Sequence, residues 1–315
     1  MYFRRIAALA LLLIACAFAK KKNAEDTTET LELPKEPPMV AVGESSRLVF
    51  HVSPLSAKGL LSQQTRDALK AIRKMNGGAP VIHVRAFVAG SGDLRRVPQI
   101  VSEAFGKKQD LPSVSVIQAG GLPLENSQIV LETVSIGKKE VNPGGLIFVE
   151  AQTAPSLDKS MDRLTERLGG AMPLRVSCFV SALSSPGAIS SRFPSAAVDL
   201  VQTQRAPARS EASCEAVARG GAGRTGKLAF TGTQVAFGAD EKATALAFQR
   251  LDRDLMEIGV APADIFAMHI YPVSARIGEM ARKVRPTPAI TSVIPFEGVA
   301  SLDGSFAVDA VASAR

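Results

Sequence analysis

The chain is poor in the residues that mark common chemistries. Aromatics make up 5% of its 315 residues, and the formal charge of +7 is spread without a dense Lys/Arg stripe. It therefore lacks the electrostatic footprint of a nucleic-acid binder, and no nucleic-acid partner is expected. His51, His83 and His269 are the three histidines, and none has a second ligand two to four residues away, so no metal site and no cofactor are expected. No G-x-S-x-G elbow is present. Residues 221–227, GAGRTGK, imitate a phosphate-binding loop. Leu228, however, stands where the magnesium-binding Ser/Thr belongs, and a strand follows where a helix should start. The segment reads as a linker. The apolar run at 6–15 is too short for the ~20 residues that cross a bilayer.

That run follows Arg4 and Arg5 and leads to Cys16, which is the pattern of an export signal over residues 1–19. Leu13-Ile14-Ala15-Cys16 resembles a bacterial lipobox, with Cys16 the lipidated residue and the membrane its partner. Ala17-Phe18-Ala19 offers ordinary signal cleavage instead. The expected location is the periplasm or outer membrane as a lipoprotein, or outside the cell. Residues 20–44 mix Lys20–Lys22, acids, Thr and Pro34, Pro37 and Pro38. Such a stretch buries little apolar surface and reads as a tether.

The rest of the chain repeats itself. Leu48-Val49-Phe50, Leu146-Ile147-Phe148 and Leu228-Ala229-Phe230 each open an apolar strand. VIHVRAF ending at Phe87, LRVSCF at Phe179 and FAMHIY at Tyr271 form three central strands, and strands carrying Glu132, Glu215 and Asp309 close the units. Between the first and central strands lie helical stripes: Ala68, Leu69, Ile72 and Met75; Met161, Leu164 and Leu168; and Ala245, Phe248, Leu251, Leu255 and Ile258, the last capped by Gly259. A second helix is expected at 94–105 and at 275–283. The middle unit has only Ser184-Ser185-Pro186-Gly187 and a few more residues there, so its helix is shortened or lost.

The hairpin at 111–135, LPSVSVIQAGGLPLENSQIVLETVS, resembles the C-terminal hairpin of the Rid family, also called YjgF or endoribonuclease L-PSP. That family reads P-A-R-[ST]-x-V, then L-P, then an acidic strand. Pro112 and Leu122-Pro123 fall in register with it, and LAFTGTQV of the third unit resembles the family's F-x-[ST]-G-Q strand. The resemblance implies an α+β fold of three Rid-like (chorismate mutase-like) units, at 45–138, 144–219 and 226–315. Each is a mixed sheet with helices on one face, and together they form a single-chain, monomeric pseudo-trimer. It also puts Cys178 and Cys214 on neighbouring strands, where they either pair or, given the demanding geometry of a cross-strand bridge, stay as two buried thiols.

In catalytic Rid proteins a hairpin Arg grips the substrate carboxylate and a Glu positions the hydrolytic water. Carried over, the Arg position falls on Val114, Ala196 and Pro288 or Ile290, and the Glu position on Val130, Ser213 and Ala307. The retained Glu132, Glu215 and Asp309 match the family's second acid. Thr231 and Gln234 lie on the strand that lines the family's cleft, and Arg85, Arg175, Arg282 and Arg285 are alternative cations. The resemblance thus implies an exported protein that binds a small molecule or a partner at clefts between units, with no efficient deaminase activity. The alternative is an enamine or imine deaminase with a rebuilt carboxylate grip.

Overall fold

A computed structural model describes residues 40–44, 48–90, 94–105, 111–137, 145–184, 186–203, 210–220 and 227–314. The export signal, Cys16, most of the tether and the GAGRTG stretch lie outside these residues. Strand β1 (Val40–Glu44) comes first. The first unit follows as β2 (Leu48–Val52), α1 (Leu61–Met75), β3 (Val81–Ala89), α2 (Arg96–Phe105), β4 (Ser113–Ala119) and β5 (Ile129–Ile136). The second is β6 (Leu146–Ala154), α3 (Leu157–Leu168), β7 (Pro173–Val180), α4 (Gly187–Arg192), β8 (Ala197–Gln202) and β9 (Ala212–Arg219). The third is β10 (Lys227–Thr231), β11 (Gln234–Ala236), α5 (Glu241–Glu257), β12 (Ile265–Pro272), α6 (Ala275–Val284), β13 (Ile290–Val293), β14 (Gly298–Val299) and β15 (Phe306–Ala314).

Local chemistry sets the helix ends. Ser156, Asp240 and Ser274 are N-caps whose side chains accept from the backbone N–H three residues on. Gly169 closes α3 at φ 55° and Gly259 follows α5 at φ 76°, the left-handed conformation that glycine adopts without a Cβ penalty. The helix of the middle unit survives as the six residues of α4. Met75 and Ile258, expected in the helical stripes, lie exposed in the last turn of α1 and just beyond α5, where the helix runs past its sheet.

All three sheets have one order, first strand, last strand, central strand, then the strand parallel to it: β2-β5-β3-β4, β6-β9-β7-β8 and β10-β15-β12-β13. Two strands are shared out of turn. β1 pairs with β10 of the third unit, so residues 40–44 are part of that sheet and not of the tether. β14 of the third unit pairs with β8 of the second.

The registers agree residue for residue. Phe87 lies opposite Val130, Phe179 opposite Ser213 and Tyr271 opposite Ala307; two residues back, Arg85 faces Glu132, Ser177 faces Glu215 and His269 faces Asp309. Alternation along each central strand sends Val84, Ala86 and Val88 to the helix side and His83, Arg85 and Phe87 to the other. Each helix-covered face has its own apolar core, and the three bare faces meet on a common axis. There Phe87, Phe179, Tyr271 and Phe296 form one apolar layer, and Phe230, Val217, Val311 and Ala267 belong to a second.

Cys178 and Cys214 are bonded, the first of the two alternatives that the sequence left open. They are direct partners across the antiparallel β7–β9 pair, with Cα atoms 4.2 Å apart. Facing residues of a closely spaced antiparallel pair bring their Cβ atoms within bridging range.

Candidate functional site

Three cations and four carboxylates lie buried between the two apolar layers. Arg85 Nε donates to Glu215 Oε1 at 2.7 Å, Nη2 reaches the same oxygen, and Nη1 donates to Glu132 Oε2 at 3.1 Å. Arg175 Nη1 donates to Asp309 Oδ1 at 2.9 Å, with Asp199 3.7 Å from Nε. His269 bonds Asp309 through Nδ1 at 2.5 Å and lies 3.3 Å from Glu132 through Nε2. Each unit thus sends a cation to the acid of the next: first to second, second to third, third to first.

Burial opposes every charge here, so the pairing decides which survive. Burial disfavours the His269 imidazolium, but Asp309 and Glu132 reverse this and push it up to about 9. Burial likewise works against the Glu132 carboxylate, and His269 and Arg85 override it, bringing the group down to about 2. Glu215 and Asp309 are also held below their usual range, against burial, by Arg85 and by His269 with Arg175 respectively. The surplus acid is Asp199, which burial and the neighbouring Asp309 push up to about 7 despite Arg175 and the Ser177 hydroxyl. His83 is driven down to about 4 by burial, which outweighs Glu215 4.0 Å away. It stays neutral.

A cavity of about 40 Å³ opens onto this layer. It is walled by Phe50, Phe148, Ala267 and Ile290 and reaches Glu132 and Glu215, and all three histidines line it. No sequence spacing predicted that convergence, since the histidines come from three strands. The signal was two-residue alternation: His83, Arg85 and Phe87 share one face of their strand, as do His269 and Tyr271.

The structure brings Arg85, Glu132, Glu215 and Asp309 together in the charged layer. Thr231 and Gln234 do not join them. The Thr231 hydroxyl accepts from Ala310 N at 2.8 Å and stitches β10 to β15, and Gln234 donates to Asp254 on the helix side. Arg285 pairs with Asp252 over Phe248, and Arg282 is exposed.

The family's Arg position also needs correction in two units. Val114 pairs in parallel with Val84, and the matching partners of Val176 and Met268 are Val198 and Thr291, not Ala196 and Pro288 or Ile290. Counting from a proline fails when loop lengths differ; counting from the central strand does not. Ala196 is buried in the second unit's helix-side core, Pro288 is exposed, and Ile290 lines the cavity.

No family model matches the sequence, and no curated protein sequence matches it. Among solved structures the chain is similar to a member of the YjgF/YER057c/UK114 family from Mycobacterium tuberculosis, at 22% identity over 29% of this chain and 82% of that one, with a TM-score of 0.26. It is similar to a chorismatase at 9% identity over 85% of this chain and 99% of that one (TM-score 0.49), and to a cyanuric acid hydrolase from A. caulinodans at 10% over 85% and 99% (TM-score 0.46). The repeated strand order of the three sheets is what makes the fold three Rid-like units of one design. Each Rid-like unit keeps the strand order, and none of the three has an arginine at Val114, Val198 or Thr291, or an acid at Val130, Ser213 or Ala307.

Proposed function

We propose that this is an exported Rid-like protein that binds a small molecule in a cleft between units and does not hydrolyse imines. One observation carries the reading: the positions of the family's substrate-gripping Arg and catalytic Glu hold Val114, Val198 and Thr291, and Val130, Ser213 and Ala307. Val130 and Ala307 sit in the axial apolar layer, which cannot activate water. The most central guanidinium, Arg85, is engaged by Glu215 and Glu132, so it has little capacity left for a substrate carboxylate. Assaying the purified mature domain on amino-acid-derived imines tests this, with turnover no higher than buffer as the expected result. Turnover matching a cytoplasmic relative would sink it.

The partners in this reading are a small-molecule ligand and, through Cys16, the membrane; the chain works as a monomer and binds no nucleic acid. The Cys178–Cys214 bridge supports export, because structural disulfides persist in oxidising compartments. Loss of membrane association on Cys16→Ala, with the soluble domain intact, is the expected outcome of fractionation. Unchanged association would remove the lipid anchor.

A second reading, a deaminase with a rebuilt grip, draws on Arg175, which lines the cavity and whose Nε has no hydrogen-bond partner within the protein. If imine turnover is found, Arg175→Lys must abolish it for this reading to hold.

A further inference from the structure

The cavity lies where the threefold repeat is broken. Four residues before the axial aromatic, the three central strands carry His83, Arg175 and Ala267. The first two side chains meet the first-strand phenylalanine of the next unit. His83 stacks on Phe148, ring centres 5.3 Å apart, and Arg175 lies 5.5 Å over Phe230. Each also faces the next unit's acid: His83 is 4.0 Å from Glu215, and Arg175 is 2.9 Å from Asp309. The third position faces Phe50 and Glu132, but alanine is too short to reach them, and the cavity of about 40 Å³ takes up the difference.

Its polar wall is incomplete in a matching way. Glu132 and Glu215 line the cavity, and Glu132 Oε1 and Glu215 Oε2 are buried with no N–H donor in hydrogen-bond geometry; the groups beside the two carboxylates are the neutral hydroxyls of Ser292 and Ser115. Both side chains are nine-tenths buried or more. A buried carboxylate oxygen without a donor is costly, and a charge-assisted N–H is the strongest way to satisfy it.

We infer that this cavity is a binding site for a small planar cation of the guanidinium type, which stands in for the arm absent at Ala267, against Phe50 and with its N–H groups on Glu132 Oε1. The volume suits the head alone, because a water needs roughly 10–15 Å³ on the same measure and about three or four would fit. Any stem of the ligand would leave past the half-buried lining residues His51 and Val52. The flat face of a guanidinium suits an aromatic wall, and its fork suits a carboxylate. This assignment rests on reading the clefts as binding sites; the imine assay tests only the absence of catalysis in that reading, so its outcome and that of the binding test below are distinguishable.

The test is ligand-dependent thermal stability and calorimetry on the mature chain at fixed ionic strength. Methylguanidinium at millimolar concentration is expected to raise the melting midpoint saturably, while urea, its neutral isostere, does not. N-acetylarginine amide forms a second arm: binding as tight as methylguanidinium marks an arginine side chain as the natural ligand, and binding of the small cation alone marks a free guanidino compound. Ala267→Leu fills the cavity and should abolish the shift. Phe50→Leu, at a half-buried rim position, should weaken it several-fold and serves if the first variant does not fold. No saturable shift, an equal shift with urea, or a full shift in both variants overturns the assignment.

Discussion

Arg175, on the central strand of the second unit, donates to Asp309, on the last strand of the third, across 2.9 Å in the interior. It is one of three such links, with Arg85 to Glu215 and His269 to Glu132, and together they close the ring of units through its charged layer. Removing one partner of a buried pair leaves the other charge uncompensated, which costs far more than the intact pair contributes.

Arg85→Leu leaves Glu215 without a charged partner and Glu132 with His269 alone. The expected loss of stability is about 3–5 kcal/mol, measured by urea denaturation. A loss under about 1 kcal/mol would show that the layer relaxes around the missing cation.

His269 sets an alkaline limit. Its folded pKa, about 9, lies above the ordinary 6.5, so its contribution is fully present below 6.5 and is lost as pH rises through 9. That shift is worth on the order of 3 kcal/mol. Asp199, raised from 3.8 to about 7, loses its contribution in the same direction as pH rises from 3.8 through 7, so only the last part of its loss falls above neutral pH. Denaturant melts at pH 7 and 9 should show the decline in the parent chain and little of it in His269→Gln. An unchanged slope in the variant would assign the loss elsewhere. On the acid side, Glu132, lowered from 4.5 to about 2, contributes above 4.5 and stops contributing as pH falls through 2.

The Cys178–Cys214 bridge spans 36 residues of the second unit. Replacing both cysteines by alanine is expected to cost about 2–4 kcal/mol. Reduction without any shift in the denaturation midpoint would contradict this.

Gly232 marks the seam between the second and third units, where an added Cβ would lie 2.9 Å from the carbonyl oxygen of Val198. Gly232→Ala must push β8 away from the β10–β11 turn, at about 1–3 kcal/mol. Circular dichroism melts would register it, and an unaltered midpoint would mean the seam is loosely packed.

The repeat was legible because strands and their aromatic marks follow from alternation. Phe87, Phe179 and Tyr271 fixed three frames, and the retained acids fell into register with them. What was not legible came from pairing between distant segments. Nothing in the sequence around Val40 tells that it crosses to β10, and Pro194 and Pro288 misdirected the count to Ala196 and Ile290 because the connections before β8 and β13 differ in length. The charged layer was half legible. Its acids and Arg85 stood out as candidates, but the exchange of cations between units depends on three faces meeting, and periodicity describes one strand at a time.

Strand β10 has β1 on one side and β15 on the other; β1 begins at Val40 opposite Thr231, and β15 runs to Ala314 opposite Lys227. The beginning and end of the folded body therefore flank a single strand, and the order in which the copies are read is not imposed by their arrangement in space. A circular permutant that joins the two ends with a linker long enough to run the length of β10 and starts translation between the first and second copies keeps every pairing described above, so the same body has three natural places to begin.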